Sequence, residues 1–364
     1  MCAETTKRTQ IAIIGAGIAG CTAALALAKH FDVTLLDKHI QVSNKVGECL
    51  PPAARRILKQ LHIEHLIDNG PHLISQGMVS YWGSTQPTIV DNLRNPDGLG
   101  WHLDRRHFES QLRAQAKQTG VHCIYPVQLV TSNYINQQWQ IEYQQYQKKH
   151  TLYADIVIDA SGRHCVFARQ QGVVRKQLDK LMSIWLTAQF NISKSMALIA
   201  SSDKGWWYSA PLPSQMPQSV NAIGLPRVVS WQLNAQQLQK NDYKNTDAFL
   251  QKAHQTNGFR TLIEQIIPGS EVLHGVVAAN TSKLEQVADK QWFAIGDAAM
   301  SFDPLSSQGM FNAMASAIQL TDLIKNNGLL HNDTPSQFQL QMDAIWQQYL
   351  NHRNLYYAQA DMAC

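Results

Sequence analysis

The segment Gln10–Ile14 is a short apolar run that stops at Gly15-Ala16-Gly17-Ile18-Ala19-Gly20, and an alanine-rich helical stretch from Ala19 to Lys29 follows it. A G-x-G-x-x-G says little alone, but between a buried strand and a helix it marks a dinucleotide-binding turn. Gly15 allows the tight turn, Gly17 lets backbone N–H groups approach a pyrophosphate, and Gly20 lets helix and strand pack closely. The helix start adds the positive end of its dipole. Phe31–Leu36 supplies the second strand of a βαβ unit. Asp37 stands at its end, 22 residues after Gly15, where a carboxylate accepts from ribose hydroxyls. A glycine-rich turn that binds nothing is the competing reading, and it leaves this context unexplained.

The chain has 364 residues, long enough for two domains. Its net charge of +4 and its short basic pairs (Arg55-Arg56, Arg105-Arg106, Lys148-Lys149) argue against a nucleic-acid surface. Six scattered cysteines, without CxxC or metal-ligand spacing, read as reduced thiols, and His62-Ile63-Glu64-His65 lacks the spacing of two helical metal ligands. No metal is expected. The polar segment Met1–Gln10 has no signal-peptide pattern, and no apolar run reaches the ~18 residues of a membrane span. A cytoplasmic protein with no membrane partner is the expectation.

Further along, Arg55–Ile67 and His107–Thr119 read as helices. Trp139, Ile141 and Tyr143 alternate with polar residues and lead through a hairpin into a buried strand ending near Ile158. The glutamines of 137–147 then fall on the solvent side. Between Leu181 and Val277 the pattern changes to short strands (Ser183–Phe190, Gly205–Ala210, Val228–Leu233) interrupted by Pro211, Pro213, Pro217 and Pro226. This is how a separate antiparallel sheet reads. Gln308–Lys325 reads as a helix, and Pro335–Met362 as mainly helical.

Three motifs separate FAD from NAD. Trp292–Ala299 (WFAIGDAA) places Asp297 after a buried strand, suited to a ribityl or ribose hydroxyl. Asp303–Met310 (DPLSSQGM) is a turn rich in backbone N–H groups that opens a helix, and its backbone from Pro304 through Ser307, Gln308 and Gly309 to Met310 can stabilise negative charge at the pyrimidine edge of a reduced flavin. Asp155–Arg163 (DIVIDASGR) is a strand ending in a tight turn.

The order GxGxxG, Gly47–Pro52 (GECLPP), Gly100–Arg105 (GWHLDR), Asp159–Gly162 and Gly296-Asp297 resembles the p-hydroxybenzoate-hydroxylase-like flavoproteins, which include aromatic monooxygenases, halogenases and geranylgeranyl reductases. The resemblance implies non-covalently bound FAD, with Arg105 contacting it and Glu48 on a loop near the isoalloxazine. An ion pair of Arg105 with Asp104, and an exposed helix-start carboxylate at Glu48, are the alternatives. Within the superfamily, Gly47–Ala54 and Gly296–Gly309, with Tyr349, Arg353, Tyr356 and Tyr357 near the C-terminus, look most like the flavoproteins that mature cysteine tryptophylquinone in lysine ε-oxidase-type and glycine-oxidase-type quinoproteins. Tryptophan halogenases carry W-x-W-x-I-P and a relay lysine. Here the nearest match is Trp206–Pro211 (WWYSAP), and no lysine lies between Gln60 and Ala116. Trp206, Trp207 and Tyr208 form either a wall for an aromatic substrate or the core of the second sheet. Cys49 reads as a small buried thiol.

The expected fold is α/β. A discontinuous, doubly wound, Rossmann-like FAD domain (1–75, 95–175 and 280–325) joins a second, antiparallel-sheet substrate domain (76–94 and 176–279) and a helical C-terminal segment (326–364). The implied reaction is FAD-dependent monooxygenation with dioxygen. NAD(P)H or an external reductase serves as electron donor, because only one dinucleotide fingerprint is present. The expected substrate is a tryptophan side chain of a precursor quinoprotein, with Glu48, Pro304 and Gly309 as catalytic candidates. The alternatives are a monooxygenase, halogenase or reductase of a free aromatic or prenyl compound, and a flavin-bearing partner without turnover.

Overall fold

The computed structural model of the chain describes residues 9–43, 45–192, 196–213, 224–328 and 332–361. Cys2, Pro217, Met362 and Cys364 lie outside the described residues. Gln10–Ile14 is an inner strand of a six-stranded sheet ordered Ala288–Asp289, Trp292–Ala294, Ile156–Asp159, Gln10–Ile14, Asp32–Leu36, His122–Ile124. Its neighbours run parallel, and only the edge strand Ala288–Asp289 is antiparallel. Ile11 pairs with Val33 on one side and Ile156 on the other. A strand covered on both edges and both faces is apolar without alternation, as this one is.

The helix Ile18–Leu27 is buried at every residue. It packs between the sheet and the helices Gly309–Asn327 and Arg105–Gln118, which explains its alanine-rich, apolar-all-round sequence. The segment 55–67 is not one helix. Ala54–Leu61 ends at His62, whose φ of 60° is left-handed, and a short second helix, His65–Asp68, follows. The amide of Ile63 closes back on the Leu58 carbonyl at 3.0 Å, a Schellman-type ending that tucks Ile63 into the core.

Gln128–Ile135, Gln138–Gln145 and Lys148–Ala154 form a three-stranded meander with its glutamines outward and Trp139, Ile141 and Tyr143 buried. A seven-stranded sheet runs in the order Val272–Ala278, Leu181–Phe190, Leu225–Asn234, Gly205–Pro211, Ala197–Ser202, Gly77–Tyr81, Thr88–Asp91. It is antiparallel except where Gly77–Tyr81 joins Ala197–Ser202 in parallel. That strand enters from the cofactor-side segment rather than through a hairpin, so no turn forces it antiparallel. Helices Thr246–Gln255 and Arg260–Ile263 cover the outer face over Trp207, Trp231, Phe249 and Phe259.

The last helix, Thr334–Gln359, carries Pro335 in its first turn and bridges the two sheets. Near its start Phe338 meets Phe293 edge-on at 5.7 Å, and near its end Tyr357 packs with Trp206 and Ile199. Among the described residues no helix is long and apolar enough to cross a membrane.

Candidate functional site

The three glycines of the first turn do different work. A Cβ on Gly15 (φ 109°) would lie 2.3 Å from the Ala160 carbonyl oxygen, and one on Gly20 would lie 1.8 Å from that of Gly15. Both positions are glycine because backbone occupies the side-chain space. A Cβ on Gly17 would meet nothing within 4 Å. The amides of Gly17 and Ile18 make no hydrogen bond among the described residues. Open space in front of free donors at a helix N-terminus fits a pyrophosphate.

Asp37 braces this turn: its Oδ2 accepts from the Ala16 amide at 2.7 Å and its Oδ1 from the His39 amide at 2.7 Å. The second oxygen keeps a lone pair for a hydroxyl. Arg113, which the sequence reading missed, clips the assembly together. It donates to the Ala16 carbonyl at 2.9 Å and the His39 carbonyl at 2.8 Å, and pairs with Asp37 at 3.2 Å. The available signal was the spacing of Arg105, Glu109 and Arg113 four apart on one helix.

Asp104 does not pair with Arg105; it caps the helix through the His107 amide at 2.9 Å. Arg105 pairs instead with Glu109 at 2.6 Å and donates to the carbonyls of Val46 and Gly47 at 3.1 and 3.2 Å. Lys45 bonds the other oxygen of Glu109 at 2.6 Å. Burial pushes the Glu109 carboxyl up, but Arg105 and Lys45 outweigh it and hold the group below the usual glutamate range. The three residues pin the loop that carries Glu48.

Glu48 is not an exposed helix-start carboxylate. It is buried, its Oε1 accepts from the Gly47 amide at 3.0 Å, and its Oε2 has no partner among the described residues. The Nε of Arg105 is likewise buried and unbonded. Orphaned polar atoms of both signs along one wall fit a polar cofactor. Burial pushes the Glu48 carboxyl up, against the lowering by its backbone bonds and by Arg105. A raised carboxyl costs stability once it ionises, so the penalty is absent in acid and grows as pH rises through the folded value. The Tm of flavin-free Glu48→Gln should exceed that of the parent near about pH 8 and converge with it near about pH 4. A gap independent of pH would show that the carboxyl ionises as in water.

Asp297 follows the strand Trp292–Ala294 with its side chain 42% exposed and Arg163 at 3.7 Å. The buried Asp159 serves its own turn, accepting from the Ser161 amide and hydroxyl at 3.0 and 2.6 Å and the Ala168 amide at 2.9 Å. In the turn after Asp303, the amide of Ser307 bonds the Pro304 carbonyl at 2.9 Å and that of Gln308 the Ser306 hydroxyl at 3.3 Å. The amides of Gly309 and Met310 make no hydrogen bond among the described residues, and a Cβ on Gly309 would meet nothing within 4 Å. A cleft lined by Gly296, Asp297, Phe302, Gly309, Asn312 and Ser316 lies alongside. This second helix start faces open space, as the first does.

Strand alternation separates the three aromatics. Trp207 stacks on Trp231 at 5.0 Å within the core under the covering helices. Trp206 is buried against Tyr357. Tyr208 lies on the face of Trp206 and, with Val46, Met78 and Leu305, packs against the apolar clusters around Ala210 and Ile199. Burial, with the charges of Cys49 and Glu48, pushes its phenol well above the usual range, so it is a hydrogen-bond donor at neutral pH.

Residues 8–326 match the family model described as FAD binding domain. The chain is 26% identical over 347 residues to LodB of Marinomonas mediterranea, named as an FAD-dependent oxidoreductase, covering 93% of this chain and 89% of LodB. The fold is similar to that of CmlS, a flavin-dependent halogenase, with a TM-score of 0.84 at 21% identity. That match covers 98% of this chain and 66% of CmlS, so the chain spans just under two thirds of the halogenase. It is also similar to QhpG, a peptidyl tryptophan dihydroxylase essential for tryptophylquinone cofactor biogenesis, with a TM-score of 0.75 at 18% identity over 97% of this chain and 76% of QhpG.

Proposed function

The chain belongs to the FAD binding domain family and is a flavin-dependent oxidoreductase with FAD as its cofactor, and from that premise we propose that it hydroxylates a tryptophan side chain of a precursor protein during tryptophylquinone biogenesis. The observation that carries the chemistry is the buried Glu48 carboxyl, with an unbonded oxygen, beside Tyr208 on an apolar wall.

The free amides at Gly17 and Ile18 would hold the pyrophosphate between Gly15 and Gly20, Asp37 a ribose hydroxyl, and Asp297 the ribityl chain. Arg105 would offer its unbonded Nε, and the amides of Gly309 and Met310 would face the pyrimidine edge, positioned by the turn of Pro304, Ser307 and Gln308. Bound and reduced by NAD(P)H or an external reductant, FAD supplies the two electrons with which one atom of dioxygen enters a ring C–H bond and the other leaves as water. Val46, Met78, Leu305 and Tyr208 exclude water and flank an aromatic ring. Indole is nucleophilic without losing a proton, so no base is required for the first step. A protonated Glu48 can donate at Oε2 where negative charge develops.

The likeness to QhpG, a peptidyl tryptophan dihydroxylase, supports a protein-borne tryptophan over a free one. The absence of lysine from Gln60 to Ala116 supports hydroxylation over halogenation. The test is co-expression of a precursor quinoprotein with this chain or with its flavin-free Gly17→Val variant. Only the intact chain should add oxygen to the precursor tryptophan, read as a mass gain on one tryptic peptide. With chloride or bromide present, free tryptophan should remain unhalogenated. Equal precursor modification in both arms, or rapid hydroxylation of free aromatics with none of the precursor, would transfer the function to a small-molecule substrate.

A further inference from the structure

The family match ends at residue 326, before the last helix begins at Thr334. Yet one face of that helix is bonded to the turn after Phe302. Tyr349, Arg353 and Tyr357 are spaced four apart and lie in line. The Tyr357 hydroxyl donates to Asp303 Oδ2 at 2.6 Å and accepts from the Trp206 indole N–H at 3.2 Å. The Asp303 amide donates to the Tyr349 oxygen at 2.9 Å, and Tyr349 meets the Thr281 hydroxyl at 3.0 Å. Arg353 bonds Asp179 at 3.1 Å, stands 3.6 Å from Asp303 Oδ2, and lies 4.8 Å over the Tyr357 ring. The other oxygen of Asp303 accepts from the Leu305 amide at 2.9 Å, inside the short 3-10 turn Pro304–Ser306. Every side chain in this chain of contacts is buried or nearly so.

The geometry points to Tyr349, Arg353 and Tyr357 as positioning residues: acting through Asp303, the last helix sets the turn that presents the Gly309 and Met310 amides to the flavin. The inference rests on the assignment of that turn to the pyrimidine edge. Asp303 is held from both sides, by its own turn through Leu305 and by the helix through Tyr357. A buried carboxylate that loses one of its bonds seeks another. The cheapest shift available here is a rotation of the turn whose first amide the same carboxylate already binds. The Trp206 N–H extends the same chain into the seven-stranded sheet, so the wall on the substrate side and the flavin edge share one anchor. The helix also bonds Lys283 through Asp343, the Val287 amide through Gln339 and the Trp82 indole through the Tyr356 carbonyl. Its buried Tyr349, Arg353 and Tyr357, by contrast, converge on the one residue that opens the turn.

The test measures FAD affinity and the midpoint potential of the bound flavin, neither of which needs a substrate. Tyr357→Phe should raise the FAD Kd by about tenfold or more and lower the potential, because misplaced amides stabilise the negative charge of the reduced flavin less well. Tyr356→Phe, whose ring is exposed on the same turn of helix, should match the parent. Asp303→Asn should reproduce the Tyr357→Phe shifts, and combining the two should add nothing further. A Tyr357→Phe protein with a lower Tm but unchanged affinity and potential overturns the inference, and so do additive effects in the double variant. Should Tyr357→Phe not fold, Trp206→Phe and Tyr349→Phe are judged on the same two measurements. Gly309→Val separates the premise from the inference. If it leaves FAD binding intact, the turn does not face the flavin and the inference falls with it. If it abolishes binding while Tyr357→Phe changes neither measurement, only the role of the helix is overturned.

Discussion

Gly17→Val should yield a folded protein that purifies without its visible flavin absorbance. The backbone at Gly17 lies in the extended region, with φ −84° and ψ −167°, which a β-branched residue adopts without strain. Its new side chain would point into space that no described atom occupies within 4 Å. The flavin-free fold therefore loses nothing, while the pyrophosphate loses the close approach that only a hydrogen at this position permits. Gly20→Val is the informative contrast. There a Cβ would lie 1.8 Å from the Gly15 carbonyl oxygen, so the helix must leave the sheet, and the variant should fail to accumulate as folded protein. Absorbance spectra of the two variants as purified, and thermal melts of each after flavin is stripped, separate the two roles. A Gly17→Val protein that keeps its flavin would remove the cofactor from this turn.

The second large effect is expected at Glu109, whose carboxylate sits almost wholly buried between Arg105 and Lys45. Deleting one member of a buried ion cluster leaves the others desolvated and unpaired. Arg105 is 18% exposed and Lys45 42%, so water relieves part of that penalty. Glu109→Ala should therefore cost about 2–3 kcal/mol, less than the ~3–5 kcal/mol of breaking a fully buried pair. The sign of its pH dependence follows from the depressed carboxyl. Its contribution is fully present above the ordinary glutamate range and is lost as pH falls through the folded value, so parent and variant should converge in acid. Because the same cluster holds the carbonyls of Val46 and Gly47, FAD retention should weaken along with the fold. Chemical unfolding of both proteins across a pH series checks the magnitude and the sign together. Equal stability at neutral pH would mean that the loop bearing Glu48 is held by its backbone alone.

Much of the cofactor-binding half was legible from local signals. A glycine spacing, an apolar run and a carboxylate at a fixed distance each constrain a few neighbouring residues, so they survive in a single sequence without any partner in view. The same holds for the helix from Gly309 and for the meander, whose buried Trp139, Ile141 and Tyr143 alternate with outward residues. Local patterns misled where a tertiary contact outweighed them. The apolar spacing of 55–67 continues across His62, yet closing that turn buries Ile63, and the helix divides. Arg105 has an acidic neighbour in Asp104, but Asp104 is drawn into capping and the guanidinium turns to Glu109, one helical turn on.

The sequence by itself determined that this chain folds around a dinucleotide turn, because glycines at 15 and 20 are demanded by backbone atoms close by in space and flanked by the strand and helix that use them. Only the tertiary structure decided which polar groups are left over. Glu48 became a buried acid because the segments bearing Tyr208 and Arg105 close on it, and those lie far from it along the chain. Trp207 entered the core under the covering helices and Tyr208 the opposite face, toward Glu48, because successive residues of a strand face opposite ways, and only the packed sheet says which face is which. Asp303 met Tyr357 across 54 residues. Burial and long-range partners set the chemistry of a carboxylate or a phenol, and neither is a property of its neighbours in sequence.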